Sequence, residues 1–394
     1  MQSALNGQPR HLDRGMAATD DKRPRDHRID FLRGLALLII FIDHIPQNLL
    51  ALVTLRNLGF SDASEWFIFL SGYSGAYVFA LRRERMGYLY ATVEQLRRVW
   101  TLYVAHIFVF VVYTAQVSFT ATRLNNPLYF DELNMGAFLQ EPHVAVLEAL
   151  LLRFQPPFLD ILPLYIVLML VGPLMFALAW RHRWIWLAAS VALYLGVQFF
   201  HWTLYGYPDE RPWTFNPLAW QLLFTLGGLL GEAAVLGKRL IRPLPWLIGA
   251  AALYLGFAGV VSISWTISGV VDSFPALLDV LFPLDKSNLS PWRLAHILAL
   301  VYVVWITTRP DMALFRSRLA RPIVLCGRHS LNIFCLGVFL SMLGDVVLTE
   351  VSHAIGAQLL VNLLGCGLMI GVAYSLDRLR SLRQLAPATR PGAA

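Results

Sequence analysis

Charge is what this sequence has least of. Of its 394 residues, 14% are charged and 57% are hydrophobic, with mean hydropathy +0.56. A soluble domain carries about 25% charged residues. A chain this long needs more polar surface than that to face water on all sides. An ordinary soluble enzyme and a disordered regulator are therefore excluded. Cysteine is scarce as well. Cys326, Cys335 and Cys366 are odd in number, two lie inside apolar runs, and no zinc-type spacing relates them. A disulfide scaffold is excluded and no metal site is expected. Alternating apolar segments of about 10 residues are missing, which argues against a β-barrel. There is no internal repeat, and no polar stretch is longer than the loop at 120–159.

What is present is a series of long apolar runs. Ten of them approach the roughly 20 residues needed to cross a bilayer. They lie near 31–53, 63–81, 99–119, 160–180, 184–202, 216–236, 245–265, 292–308, 329–348 and 355–376. The expected fold is an all-α polytopic membrane protein of about ten transmembrane helices. Residues 1–28 form a charged tail, 29–378 the ten-helix domain with its outer loop at 120–159, and 379–394 a second tail. The tail at 1–28 is not read as a signal peptide, because the first apolar run starts late and no small-residue cleavage site follows it.

The net charge of +7 is read as topology, with no nucleic-acid partner. With the N-terminus in the cytoplasm, 26 of the 32 Lys and Arg fall in inside segments. The six outside are Arg56, Arg123, Arg153, Arg211, Lys286 and Arg293. The acids Asp131, Glu132, Glu141, Asp209, Glu210 and Asp285 lie outside. That split places both termini in the cytoplasm.

An ionisable residue in a span costs a few kcal/mol, so each is a functional candidate. The first run reads RIDFLRGLALLIIFIDHIPQN and carries Asp43 and His44. Arg33 and His44 fall on one helix face, about 16 Å apart along the axis by helix rise. Gly34 lets a helix or a ligand approach closely. A neutral imidazole suits general-base work. The bland alternative is a packing pair at Asp43–His44 with Arg33 as an interface anchor. The second run begins GFSDASEWFIFLSGYSGAYVF. Asp62 and Glu65 read as a capping box at a helix start, or as groups orienting His44. Ser71 lies in Ser71-Gly72-Tyr73, a pattern that more often serves helix contact than nucleophilic attack. Asp160, after FQPPFL, is either a cap or an acceptor contact. His106, His296 and Asp345 are weaker candidates of the packing kind. Arg82, Arg83, Arg85, Arg97 and Arg98 obey the orientation rule, and a subset can hold phosphates in bidentate fashion. Arg328-His329 allows the same two readings.

RIDFLRGLALLIIFIDHIPQN, followed by TLRNLGFSDASEWFIFLSGYS, resembles the OpgC family of membrane acyltransferases. FQPPFLDILPLYIVLML and LCGRHSLNIFCLGVFLS resemble its later signatures, and the likeness runs over roughly residues 26–376. The wider acyltransferase-3-like group carries a basic residue, ten intervening residues and a histidine, matched here by Arg33 and His44. Phe67 to Tyr73 match its aromatic-rich Ser-Gly motif.

The resemblance implies an acyl-CoA donor on the cytoplasmic side and a glucan hydroxyl acceptor on the periplasmic side of a bacterial inner membrane. For the OpgC branch it implies succinyl-CoA and osmoregulated periplasmic glucans, with no permanently bound cofactor. Expected catalytic residues are His44, Asp43, Glu65 and Asp62. Expected donor-binding residues are Arg33, Arg28, Ser71, Arg82, Arg98 and Arg328, and Asp160 is the expected acceptor contact. A carboxylate among Asp43, Asp62 and Glu65 is expected to orient His44. Arg33, Arg56 or Arg293 would meet a succinyl carboxylate. Direct transfer and an acyl-histidine route both stay open, as do an acetyl donor for another extracytoplasmic polysaccharide, a transporter or exporter, and a binding-only sensor.

Overall fold

The apolar runs fold as helices, and the turns between them fall where the sequence interrupts the helical ladder. The computed structural model describes residues 26–126, 129–130, 135–266 and 284–385. Residues 1–25 of the first tail, 386–394 of the second, and Asp131 and Glu132 of the 120–159 loop lie outside the described residues.

Helix α1 is His27–Asp43, α2 is the single turn Leu55–Leu58, α3 is Ala63–Met86 and α4 is Tyr88–Leu124. Two short helices follow, α5 at Gly136–Gln140 and α6 at Pro142–Leu150. Then come α7 at Ile161–Phe200, α8 at Pro217–Val235, α9 at Pro245–Thr266 and α10 at Pro291–Thr307. The chain closes with α11 at Arg321–Arg328, α12 at Ser330–Glu350 and α13 at Ile355–Leu385. Helix thus extends two residues into the expected first tail and through Leu385 of the second.

Six of these helices, α4, α7, α8, α9, α12 and α13, are long and apolar enough to cross a membrane. The expected ten segments become six by this measure for physical reasons. The runs at 160–180 and 184–202 are two helices, as expected, that meet at a kink at His182 (φ −138°, ψ 55°) and are counted together as the 40-residue α7. Helices α1 and α10 have 17 residues each, short of the roughly 20 required. Helix α3 has 24 residues, but its Ser-Gly pairs and its Arg82, Arg83 and Arg85 dilute the apolar content.

The first run also ends earlier than expected. Helix α1 stops at Asp43, with His44 as its C-cap. Pro46 disfavours helix at the residue before it, and Gln47 takes a left-handed φ of 54°. Asn48 then caps a 3-10 turn, Leu49–Val53, and donates from Nδ2 to the Ile42 carbonyl at 3.0 Å. That bond satisfies one of the carbonyls a helix end leaves open. His44 therefore sits at the mouth of a helix rather than within one.

Helix α1 packs against α3, α11 and α12. Its Gly34 lies where a Cβ would strike the Ile323 carbonyl, and Gly327 of α11 meets the Asp30 carbonyl in the same way. The partner that Gly34 admits is a helix. Helix α3 lies equally close to α8, with Gly72 against the Phe224 backbone. This accounts for Ser71-Gly72-Tyr73 as a helix-contact motif, and Ser71 is buried there.

Candidate functional site

Two polar cavities lie one after the other along α1, α3 and the first turns of α7. The first, about 70 Å³, is lined by Asp43, His44, Arg56, Asp62, Asp160 and Lys286 among others. Asp43 ends α1 and accepts from Thr54 Oγ1 at 2.6 Å. The His44 backbone N–H closes the helix on the Ile40 carbonyl at 3.1 Å. Its imidazole lies against the Phe158 ring, with centroids 4.7 Å apart. Phe158 holds a left-handed φ of 73°, a costly conformation for a bulky side chain and one that clusters at functional sites. Pro156 and Pro157 lead the chain into it.

Asp62 is the N-cap of α3 and forms the expected capping box. It accepts from the Ser64 N–H at 2.8 Å, while Glu65 accepts from the Asp62 N–H at 2.9 Å. Both acids also carry ion pairs. Lys286 Nζ lies 2.7 Å from Asp62 Oδ2. Arg293 donates from Nε to Glu65 at 2.7 Å and from a terminal nitrogen to Asp62 at 3.3 Å. Burial alone would raise the Asp62 pKa, but Lys286 and Arg293 outweigh it and hold the carboxyl well below its ordinary range. Lys286 also stands 5.1 Å from the Phe215 ring centroid, on the cavity wall.

The expectation that a carboxylate orients His44 needs correction. Asp43 is engaged by Thr54, and Asp62 and Glu65 are engaged by their cap and by Arg293. His44 Nδ1 has no hydrogen-bond partner among the described residues. Ring packing on Phe158 positions the imidazole instead. Glu65 is fully buried behind the cavity and does not line it.

The second cavity, about 410 Å³, is lined by Arg33, Arg82, Arg97, Arg98 and Glu94, with Ser74, Tyr165 and Met169 among the rest. Arg33 donates to Ser74 Oγ. Glu94 pairs with Arg97 at 2.7 Å and with Arg82 at 3.6 Å. Arg98 makes no ion pair or hydrogen bond among the described residues. Four guanidinium groups facing one carboxylate make this cavity strongly cationic, a setting suited to phosphate groups.

The chain belongs to the OpgC family. A family model described as OpgC protein matches residues 25–381, nearly the whole chain. Membership supports an acyltransferase role on glucans for a chain rich in apolar helices. No curated protein and no solved structure matches the chain.

Within this OpgC-family fold, the predicted residues divide into three groups. His44, Asp43, Asp62 and Asp160 share the first cavity, and Arg33, Arg82 and Arg98 share the second. Glu65, Arg28, Ser71 and Arg328 line neither. Arg28 stacks 4.1 Å over Trp305 and donates to the Thr308 carbonyl at 3.0 Å, tying α1 to the end of α10. Arg328 lies 3.5 Å from Asp377 and 3.9 Å from Asp30, bridging α11 to α13 and α1. His296 bonds Ser61 Oγ at 2.7 Å and His106 is fully buried, both away from the cavities.

Sequence reasoning passed over Phe158, and it counted Lys286 only as an outside charge. The Gln-Pro-Pro-Phe run was the available signal for Phe158. For Lys286 there was none, because it reaches Asp62 from a loop more than 200 residues away. A further cavity, about 640 Å³, is lined mainly by apolar side chains of α7 to α10 and holds none of the candidate residues.

Proposed function

We propose that this chain is a ten-span O-acyltransferase of the bacterial inner membrane, with both termini in the cytoplasm. It moves a succinyl group from cytoplasmic succinyl-CoA to hydroxyls of a periplasmic glucan. The observation that carries this reading is the pair of cavities that follow one another along the same three helices. One holds four arginines and the other holds His44. The two candidate residues stand on α1, Arg33 in its middle and His44 at its C-cap, about 16 Å apart by helix rise.

In this reading the anionic CoA headgroup rests in the arginine cavity, against Arg33, Arg82 and Arg98. Its thin pantetheine arm carries the thioester toward His44. The glucan hydroxyl enters the His44 cavity from the other side, with Asp160 within its reach. His44 removes the hydroxyl proton as the oxygen attacks the thioester carbonyl. The C–O bond forms, the C–S bond breaks, and the CoA thiolate leaves. The imidazolium proton then passes to the thiolate, giving ester and CoA thiol. Arg56 is the best placed of the three arginines to meet a succinyl carboxylate. It lines the His44 cavity and, among the described residues, donates only to the Asp43 carbonyl, at 3.3 Å. Arg33 lies in the other cavity, and Arg293 is committed to Glu65.

The test is incubation of purified protein with succinyl-CoA, acetyl-CoA and a linear β-glucan, followed by product masses and CoA release. Succinylated glucan with CoA release is expected, with succinyl preferred over acetyl. No CoA release from any donor would refute the enzyme and favour a transporter. Cysteines introduced by Asn57→Cys and Arg239→Cys should label from opposite sides of sealed membranes. Labelling from one side would overturn the topology.

A further inference from the structure

The two cavities stop about one helical turn short of each other along α7 and about two along α1. On α7, Ile161 lines the His44 cavity and Tyr165 lines the arginine cavity. Four residues of helix rise about 6 Å. On α1, Ile40 and Arg33 line the two cavities from one face, seven residues apart. What stands between is a set of three rings. Phe334 of α12 lines the His44 cavity and Tyr165 lines the arginine cavity. Phe67 of α3 touches both. Its ring centroid is 6.3 Å from that of Phe334, with planes 30° apart. It is 5.9 Å from that of Tyr165, with planes 77° apart. Phe67 is buried at 4% exposure.

An ordinary core cluster is bordered by more core. This one is bordered by a cavity holding His44 on one side and a cavity holding four arginines on the other. The two phenylalanine rings have no hydrogen-bonding group, so ring and dispersion contacts alone hold them closed. Such contacts amount to about 0.5–1.5 kcal/mol per aromatic pair beyond area burial, which a ligand chain can replace with contacts of its own.

We infer that Phe67, Tyr165 and Phe334 form the partition between the two cavities, and that Phe67 is the ring whose displacement joins them and limits the width of the acyl group that reaches His44. The inference rests on the proposed transferase reading for its substrate, but the partition itself can be tested without turnover. A straight, thin thioester arm fits between displaced rings. An aromatic acyl group does not. The closed partition also keeps water on the donor side from the His44 cavity.

The experiment uses the full chain in sealed vesicles, with Cys326, Cys335 and Cys366 replaced by Ala and Ser74→Cys as reporter. A membrane-impermeant thiol reagent is added from the His44 side. With Phe67 present, Cys at 74 should be protected. With Phe67→Ala its labelling from that side should rise at least tenfold, and with Phe67→Trp it should stay protected. Phe67→Leu, closer in volume, covers the case in which Phe67→Ala fails to fold, and should give an intermediate rate. Separately, the ratio of benzoyl to acetyl transfer from the matching CoA thioesters should rise about tenfold in Phe67→Ala over wild type. Unchanged labelling in both Phe67→Ala and Phe67→Leu would overturn the partition. Opened labelling with an unchanged acyl ratio would overturn the selectivity. Opened labelling in a protein that releases CoA from no donor, wild type included, would leave the partition standing and remove the transferase reading.

Discussion

The two cavities differ in how their charges are committed. Around His44, Asp43, Asp62 and Glu65 are each already bound, to Thr54, Lys286 or Arg293. The imidazole alone keeps an unpartnered ring nitrogen and leans on Phe158. In the second cavity the cations outnumber the acids, and Arg98 carries no partner among the described residues. The first cavity is small and internally balanced, as suits a place where a proton moves. The second is larger and unbalanced, as suits a place where an anion is held. Charge in the first cavity is spent on geometry, while charge in the second waits for a ligand.

That contrast can be broken most sharply at His44. His44→Ala should lower kcat by about 10²–10⁴, the usual weight of a positioned general base. Its melting temperature in detergent should stay near wild type, and retained turnover would contradict the assignment. The balanced cluster offers the next largest effect. Arg293→Met leaves Glu65 buried without its cation and should cost about 3–5 kcal/mol of stability, read as a lowered denaturation midpoint. A stable Arg293→Met protein that has lost activity would move Arg293 from scaffold to chemistry. At the arginine cavity, Arg98→Ala should raise the donor KM about tenfold, near 1.4 kcal/mol, with kcat within about twofold on the definition of a lost uniform contact. A fall in kcat at constant KM would erase the division of labour.

The smallest effect concerns pH. Asp62 is held below its ordinary range, so its pairing contributes fully above the unfolded pKa of about 3.9. The contribution is lost only as pH falls through the lower folded value. A Lys286–Asp62 double-mutant cycle should therefore be flat from pH 7 to about 4. Loss of the coupling already at about pH 5 would show that Asp62 is not held ionised.

Parts of this site were legible in the chain itself. The spacing of Arg33 and His44 follows from helix rise and periodicity alone. The capping box at Asp62 and Glu65 is a local pattern, and it formed. The grouping of Arg33 with Arg82 and Arg98 was available from the side preference of basic residues. Other parts were not legible. Arg28 and Arg328 carry the same charge as Arg98, yet packing turned them onto Trp305 and Asp377. Asp43 neighbours His44 in sequence, yet its carboxylate turns to Thr54 once the chain reverses after Pro46.

The sequence by itself determined the solvent this protein lives in, the helical class, and which few charged residues had to be explained. Those follow from composition and period, which are properties of neighbours along the chain. Tertiary structure decided which charges are spent on each other and which face a cavity. It also decided that Phe158, Lys286 and the ring of Phe67 stand beside the chemistry. Those are contacts between residues up to 267 positions apart, and no local pattern encodes them.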